Sequence, residues 1–315
     1  MEVGRKDDLA ALRDEILALK RERNALIMAH YYQRDEIQEI ADYIGDSLAL
    51  ARKAAETDAD VIVMCGVHFM GETAKILCPE KLVLIPDAEA GCSLADSCDA
   101  DEFTAFVAEH PDHTVISYVN TSAAVKAVTD IVVTSGNARK VIESLPADEK
   151  IIFGPDRNLG EYINAVTGRD MLLWPGACHV HDRFSMERIL EMKREHPEAR
   201  VLVHPECRRS LQLIADKVGS TAALLAYARE SDAREFIVVT ESGILFEMQK
   251  ACPEKVFMPA PPDEPGCQCN HCEYMKMNTL EKVRDALRDG KPSVEVDGEI
   301  AKRALRPIRR MLELS

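Results

Sequence analysis

Three pairs of polar side chains stand two residues apart at the ends of apolar runs. They are His30 and Tyr32 in LIMAHYYQ, Tyr118 and Asn120 in TVISYVNT, and His204 and Glu206 in VLVHPECR. If those runs are strands, an i,i+2 spacing sends both members of a pair out of one face. Imidazole, phenol and carboxylate groups gathered at one place can move protons between carbon and oxygen. Each pair is followed by an apolar-periodic helix and then by a second polar site: Asp46-Ser47, Thr134-Ser135 and Ser220-Thr221. Ser47, Ser135 and Thr221 fall where helices should begin, and Ser47 reads as an N-cap. Open N–H groups and the positive end of the dipole suit a phosphate or carboxylate there. Plain capping accounts for any one of these hydroxyls, and the two roles are compatible.

Thiols follow the same rhythm. Cys92, Cys178 and Cys272 lie 62, 60 and 68 residues after His30, Tyr118 and His204. An internal threefold repeat with one thiol per unit predicts three thiolates around a pseudo-threefold axis. Such a set suits a metal cluster with one position open. An iron with no protein ligand could then act as a Lewis acid on a substrate oxygen, which is chemistry for dehydration or condensation. Cys267, Cys269 and Cys272 also form GCQCNHC, a spacing that fits part of a zinc site, a cluster or a regulatory disulfide. Zinc would need a second group, such as Cys92 with Cys98, or Cys178 with His179 and His181. Cys65, Cys78 and Cys252 read as buried, inert thiols. Glu241 follows a strand, where it either lines the cleft or makes an ordinary salt bridge. Asp87 and Glu89 could support Cys92 from behind, and Arg208 or Arg209 could hold substrate carboxylates. His110, His113 and His196 lie in charged, loop-like stretches and read as solvated.

The elements that must position these groups read as an α/β fold. Strands that are apolar throughout and separated by helices mean parallel sheets covered on both faces. Ligands of such sheets bind beyond the carboxyl ends of the strands, where the three polar pairs fall. The expected organisation is an N-terminal helix (1–22) and three similar three-layer αβα units with small parallel sheets (23–105, 106–192 and 193–278). C-terminal helices (279–315) complete it, packing beside the first. Within the first unit, DEIQEIADYIG reads as one helix closed by Gly45. In the third, SLQLIADKVG reads as one element.

Bulk properties narrow the function. A formal charge of −15 argues against a nucleic-acid partner. No run of apolar residues is long enough for a membrane span. The charged, amphipathic start lacks the apolar core of a signal peptide, so ten cysteines point to reduced thiols in the cytoplasm. On the residues alone, an open-iron hydro-lyase and a zinc-stabilised binding or scaffold protein both remain open.

Longer stretches carry a resemblance. AHYYQ…EIADYIGDSL, CGVHFMGETAKIL, PDAEAGCSLAD, YVNTSAAVKA…VTSGNA, FGPDRNLG, WPGACHVH, VHPEC…ADKVGST, TESGI and CEYMKMN are together similar to the quinolinate synthase (NadA-type) family, over nearly all of residues 20–280. The resemblance implies three αβα units about a pseudo-threefold axis. It implies one [4Fe–4S] cluster per chain on Cys92, Cys178 and Cys272, with the fourth iron open to substrate. The implied reaction joins iminoaspartate and dihydroxyacetone phosphate into quinolinate with loss of phosphate and two waters. An aspartate-oxidising enzyme is the implied source of the imine. Carried over by motif, His30, Tyr32, Tyr118, Asn120, His181, His204 and Glu206 line the site, and Ser47, Ser135 and Thr221 hold anions. Glu206 is the expected main base, with Tyr32 and His204 assisting enolisation and ring closure. Some relatives carry CxxCxxC where this chain has Cys267-x-Cys269-x-x-Cys272, which leaves the roles of Cys267 and Cys269 open.

Overall fold

In the computed structural model, which describes residues 2–263 and 270–315, three stretches of chain each form a four-stranded parallel sheet. Helix α1 (Glu2–Glu22) leads into β1 (Ala25–His30), α2 (Asp35–Ile40), β2 (Tyr43–Gly45), α3 (Ser47–Glu56), β3 (Val61–Cys65), α4 (His68–Leu77) and β4 (Leu82–Leu84). Short helices α5 (Ser93–Asp96) and α6 (Ala100–Ala108) precede the second stretch. It runs β5 (Thr114–Tyr118), α7 (Ala123–Lys126), β6 (Ile131–Val133), α8 (Ala138–Glu143), β7 (Ile151–Gly154), α9 (Arg157–Thr167) and β8 (Leu172–Leu173). Helix α10 (Met186–Glu195) precedes the third: β9 (Arg200–Val203), α11 (Arg209–Leu213), β10 (Lys217–Val218), α12 (Thr221–Glu230), β11 (Glu235–Val239), α13 (Ile244–Ala251) and β12 (Val256–Pro259). Helices α14 (Glu273–Lys276), α15 (Leu280–Asp289) and α16 (Gly298–Glu313) close the chain. Cys267 and Cys269 lie outside the described residues.

The sheet orders are β2-β1-β3-β4, β6-β5-β7-β8 and β10-β9-β11-β12, one order used three times. Register makes the correspondence exact to the residue. Ala29 faces Cys65, Ser117 faces Gly154 and Val203 faces Val239 at the last rung between first and third strands. His30, Tyr118 and His204 are each the next residue. The α/β fold of repeated αβα units with small parallel sheets is therefore the one expected from the apolar strands. All five positions of β3 are buried, as are all four of β7, as covering on both faces requires.

An aspartate fixes each edge strand. The N–H of Ile27, Val115 and Val201 donates to the carboxylate of Asp42, Asp130 and Asp216, at 2.9, 2.9 and 2.8 Å, fifteen residues on each time. The amide of each aspartate donates back to the carbonyl of that same partner. This corrects the reading of 35–45 as a single helix and of 210–219 as a single element. α2 stops at Ile40 and α11 at Leu213, and the chain then turns out to make β2 and β10. The apolar periodicity of a six-residue helix runs on into a three-residue strand, so pattern alone joins them.

Packing groups the chain into two compact units: Met1–Cys92 with Glu273–Lys302, and Ser93–Cys272 with Arg303–Ser315. In the first, Ile16 of α1 and Val283, Ala286 and Leu287 of α15 pack with Ile27, Ala29, Val61 and Val63 of the sheet. The second holds two sheets and two cores. One is built on Phe103, Val115, Ile152 and Trp174, the other on Phe184, Val201, Val203, Ile237 and Val239. The expectation that both C-terminal helices pack beside α1 holds for α15. The last turns of α16 belong to the second unit, where Asn137 Nδ2 donates to Met311 O at 3.3 Å.

Candidate active site

Beyond the carboxyl ends of the second unit's strands, four buried side chains close on one another. Tyr118 Oη, at the end of β5, donates to Glu206 Oε1 at 2.6 Å. The other carboxylate oxygen lies 3.2 Å from His181 Nδ1. His181 comes from a single 3-10 turn (His181–Arg183), and its Nε2 meets Thr240 Oγ1 at 2.9 Å. The His181 and His204 rings lie 4.7 Å apart, tilted by 32°. The Glu206 amide donates to His204 Nδ1 at 3.4 Å, which makes Nδ1 the acceptor and leaves the proton on Nε2. That Nε2–H faces Ser135 Oγ at 3.3 Å. Tyr118, Ser135, His181, His204 and Glu206 thus form one connected network from two repeats and the segment between them.

Burial raises the Glu206 carboxyl. The charge and hydrogen bond of His181, the charge of His204 and the Tyr118 hydroxyl outweigh it, and the carboxyl is held down at about 2. With His204 Nδ1 accepting from the Glu206 amide, His181 and Tyr118 supply most of the stabilisation. Asp156, fully buried nearby, is pushed well above the usual carboxylate range by burial and by the Glu206 charge.

Asp156 and Glu241 do a second job. Each stands two residues past the third strand of its repeat. Asp156 Oδ1 caps α9 through the Leu159 amide, and Oδ2 accepts from the Cys178 amide at 3.3 Å. Glu241 Oε2 accepts from the Gly243 amide, and Oε1 accepts from the Cys272 amide at 3.1 Å. Two of the three thiols singled out by the repeat are therefore anchored through their backbone by buried carboxylates. Glu241 lies behind Cys272 and holds its backbone.

None of the eight described cysteines is in a disulfide. Cys65, Cys78, Cys98, Cys207 and Cys252 are buried, while Cys92, Cys178 and Cys272 are half-buried. Burial pushes the Cys65, Cys78 and Cys207 thiols up, and Cys98 to about 12. Those four are inert in the sense expected of packed thiols. Cys178 Sγ lies 3.3 Å from His181 Nδ1. Cys178, His181 and Glu206 offer one donor atom each, all within 4.8 Å of one another, a spacing that could hold a metal ion.

The remaining expected residues divide by unit. Asn120 lies in the second, and its Oδ1 is buried with no hydrogen-bond partner among the described residues. Ser135 lies in the turn Thr134–Gly136, two residues before the Asn137 cap of α8, and so is not a helix start. A Cβ on Gly136 would come 3.5 Å from Ser220 Oγ, which brings that turn to the head of α12. Ser220 caps α12 and Thr221 is its first residue. In the first unit, Tyr32 packs edge-on to His30, with centroids 4.5 Å apart, and its amide donates to His30 Nδ1 at 3.2 Å. This repeats the His204–Glu206 arrangement. Ser47 is the first residue of α3, whose cap is Asp46 and not Ser47. Asp87 pairs with Lys282. Arg208 pairs with Asp263 at 2.7 Å, and Arg209 donates to Gln212.

A sequence profile of the family described as Quinolinate synthetase A protein matches residues 14–313. The chain belongs to this family. It is 57% identical over 309 residues to the quinolinate synthase of Thermosynechococcus vestitus, covering 98% of this chain and 96% of that one. It is 56% identical over 300 residues to those of a Synechococcus species and of Microcystis aeruginosa, covering 95% of this chain and 94% of each. Asp156, Asn158 and Thr240 contact the expected site residues and were not singled out in the sequence. Asn158 Nδ2 donates to the Glu206 carbonyl at 3.0 Å. The one available signal for Asp156 was its position as a helix cap in GPDRNLG. His181 was legible as a possible metal ligand beside Cys178, and its place in the substrate site came only from the family resemblance.

Proposed function

We propose that this chain is a quinolinate synthase. It condenses iminoaspartate with dihydroxyacetone phosphate and releases phosphate and two waters, a balance with no net oxidation or reduction. The observation that carries the reading is the buried Tyr118–Glu206–His181 chain beside His204, in a member of the quinolinate synthetase family. In this reading Cys92, Cys178 and Cys272 hold one [4Fe–4S] cluster. The donor set supports it, since among the described residues these are the three half-buried thiols and two of them have anchored backbones. When bound, the cluster would supply a Lewis-acidic iron for a substrate hydroxyl or carboxylate oxygen.

The protein's own groups do the rest. Glu206, ionised and acceptor-only, takes the proton from the carbon that becomes nucleophilic. Its low resting value makes it a weak base until a substrate displaces one of its donors, Tyr118 or His181, which raises its proton affinity. His204, with its proton on Nε2, donates to a departing or enolising oxygen, and Tyr32 serves the same step from the first unit. The unpaired Asn120 Oδ1 accepts from a substrate hydroxyl or imine N–H. Ser135, Thr221 and Ser47 hold phosphate or carboxylate. An enzyme that oxidises aspartate supplies the imine, and the reaction proceeds in the cytoplasm. Among the described residues no helix is long and apolar enough to cross a membrane.

A mononuclear ion on Cys178, His181 and Glu206 is the second reading, favoured by their mutual 4.8 Å spacing. Anaerobic purification with iron, sulfide and zinc analysis separates the two. About four irons and four sulfides per chain, lost on replacing any of Cys92, Cys178 or Cys272, together with quinolinate formation, is the expected result. Stoichiometric zinc without sulfide would sink the cluster reading.

A further inference from the structure

One buried donor recurs at the same place in all three repeats. Gln38 Nε2 donates to the carbonyls of Tyr31 and Gln33, at 3.1 and 3.0 Å. Lys126 Nζ donates to those of Val119 and Thr121, the first at 2.8 Å. Gln212 Nε2 donates to those of Pro205 and Cys207, at 2.9 and 2.7 Å. The separations are seven and five residues every time. All three side chains are buried, at 1%, 0% and 5% exposure, so none is a solvated residue whose contacts come and go. Each bridges a three-residue turn, and the residue between the two carbonyls is Tyr32, Asn120 or Glu206.

We infer that Gln38, Lys126 and Gln212 are positioning residues, each clamping the turn that aims one active-site side chain. The first carbonyl lies in the peptide plane that enters the residue, and the second lies one peptide beyond the plane that leaves it, so holding both confines the turn on either side and with it the direction of the residue's Cα–Cβ bond. Without the donor, two buried carbonyls in each turn lose a partner, and the turn relaxes towards others. The Gln212 amide is oriented independently, because Arg209 Nη1 donates to its Oε1 at 3.2 Å, so that Nε2 faces the turn and also reaches the Asn158 carbonyl at 3.4 Å. A lysine in the middle repeat performs what an amide performs in the other two. Position and hydrogen-bonding capacity are what the repeats share, and charge is not.

That difference supplies the test, which rests on the quinolinate synthase reading only for its kinetic arm. Lys126→Met removes the donor, and Lys126→Gln replaces it with the group used by the other repeats. Both are made in the full-length, cluster-loaded protein. Four quantities are read: iron and sulfide per chain, Tm, kcat and KM per cluster, and hydrogen exchange at the amides of residues 119–121. Lys126→Met should keep its iron and lose about 10²-fold in kcat, as displacing a reacting group by about 1 Å can cost. Exchange in the turn should quicken, and Lys126→Gln should restore both. A kcat per cluster equal to wild type in Lys126→Met overturns the inference, as does a Lys126→Gln no better than Lys126→Met. A loss of iron or Tm with kcat per remaining cluster intact also overturns it, by showing a merely structural role. If Lys126→Met does not fold, Gln212→Met carries the same comparison at residues 205–207. Should the wild-type protein make no quinolinate, the functional reading fails, and the exchange comparison still decides the clamp.

Discussion

At the scale of single residues, Glu206 is the group on which the proposed chemistry turns. It meets a phenol at 2.6 Å and an imidazole at 3.2 Å while buried. Glu206→Gln keeps the shape and removes the charge and the basicity. We expect kcat to fall by about 10²- to 10⁴-fold, the usual worth of a general base, with the iron content unchanged. Steady-state kinetics beside iron analysis checks this, and a kcat near wild type would remove Glu206 from the role. Asp156 and Glu241 act on the thiols through the backbone. Glu241→Gln puts an NH2 group where one of two amide donors needs an acceptor. Under the proposed cluster reading, iron should leave to a chelator faster, by about 10- to 100-fold as for other groups that support metal ligands from behind, and equal rates would refute the support. Of these residues, the polar pairs were legible because period-2 spacing is visible in sequence. Asp156 and Thr240 were not. Their partners are distant in the chain, and an aspartate before a helix looks like any cap.

At the scale of elements, the edge strands are set by Asp42, Asp130 and Asp216. Burial opposes the charged form of Asp216. The Val201 amide and the Arg200 guanidinium outweigh it and hold the carboxyl below its ordinary value. Because the folded value is the lower one, the unfolded chain takes up the proton first. The stabilisation is therefore whole above the unfolded value of about 3.9 and is lost as pH falls from there through the folded value. Asp216→Asn should cost about 1.5–3 kcal/mol at neutral pH, the worth of hydrogen bonds to a charged acceptor. The gap from wild type should narrow in acid. Urea titrations at several pH values test it, and a gap that grows as pH falls would contradict the assignment. Strand and helix types were largely readable, since fully apolar strands alternate with amphipathic helices. Strands β2 and β10 were missed because two or three residues show no period of their own and are held by a side chain fifteen residues from its partner.

For the whole molecule, the sequence showed three serial copies of one unit, and the structure gives each copy the same strand order. What spacing could not show is that the last helix serves the second compact unit. Ala304, Ile308 and Met311 are buried, and Asn137 Nδ2 also meets Ser315 Oγ at 2.6 Å. Ile308→Ala should lower stability by about 2–5 kcal/mol, and deletion of 303–315 should lower Tm further by uncovering Asn137. Thermal denaturation reads both, and an unchanged Tm after the deletion would show the helix to be dispensable.

The fifteen-residue aspartate staples also bear on how the chain finds its fold. Parallel sheets are slow to form when their pairings join distant residues, because loop-closure entropy must be overcome before contacts repay it. Here the first two strands of every sheet are brought into register by a pairing of low sequence separation, made without waiting for the third strand. Three nuclei of the same kind can therefore form along one chain, each independent of the other two, and the exposed interval in which bare strand edges invite aggregation is shortened in all three.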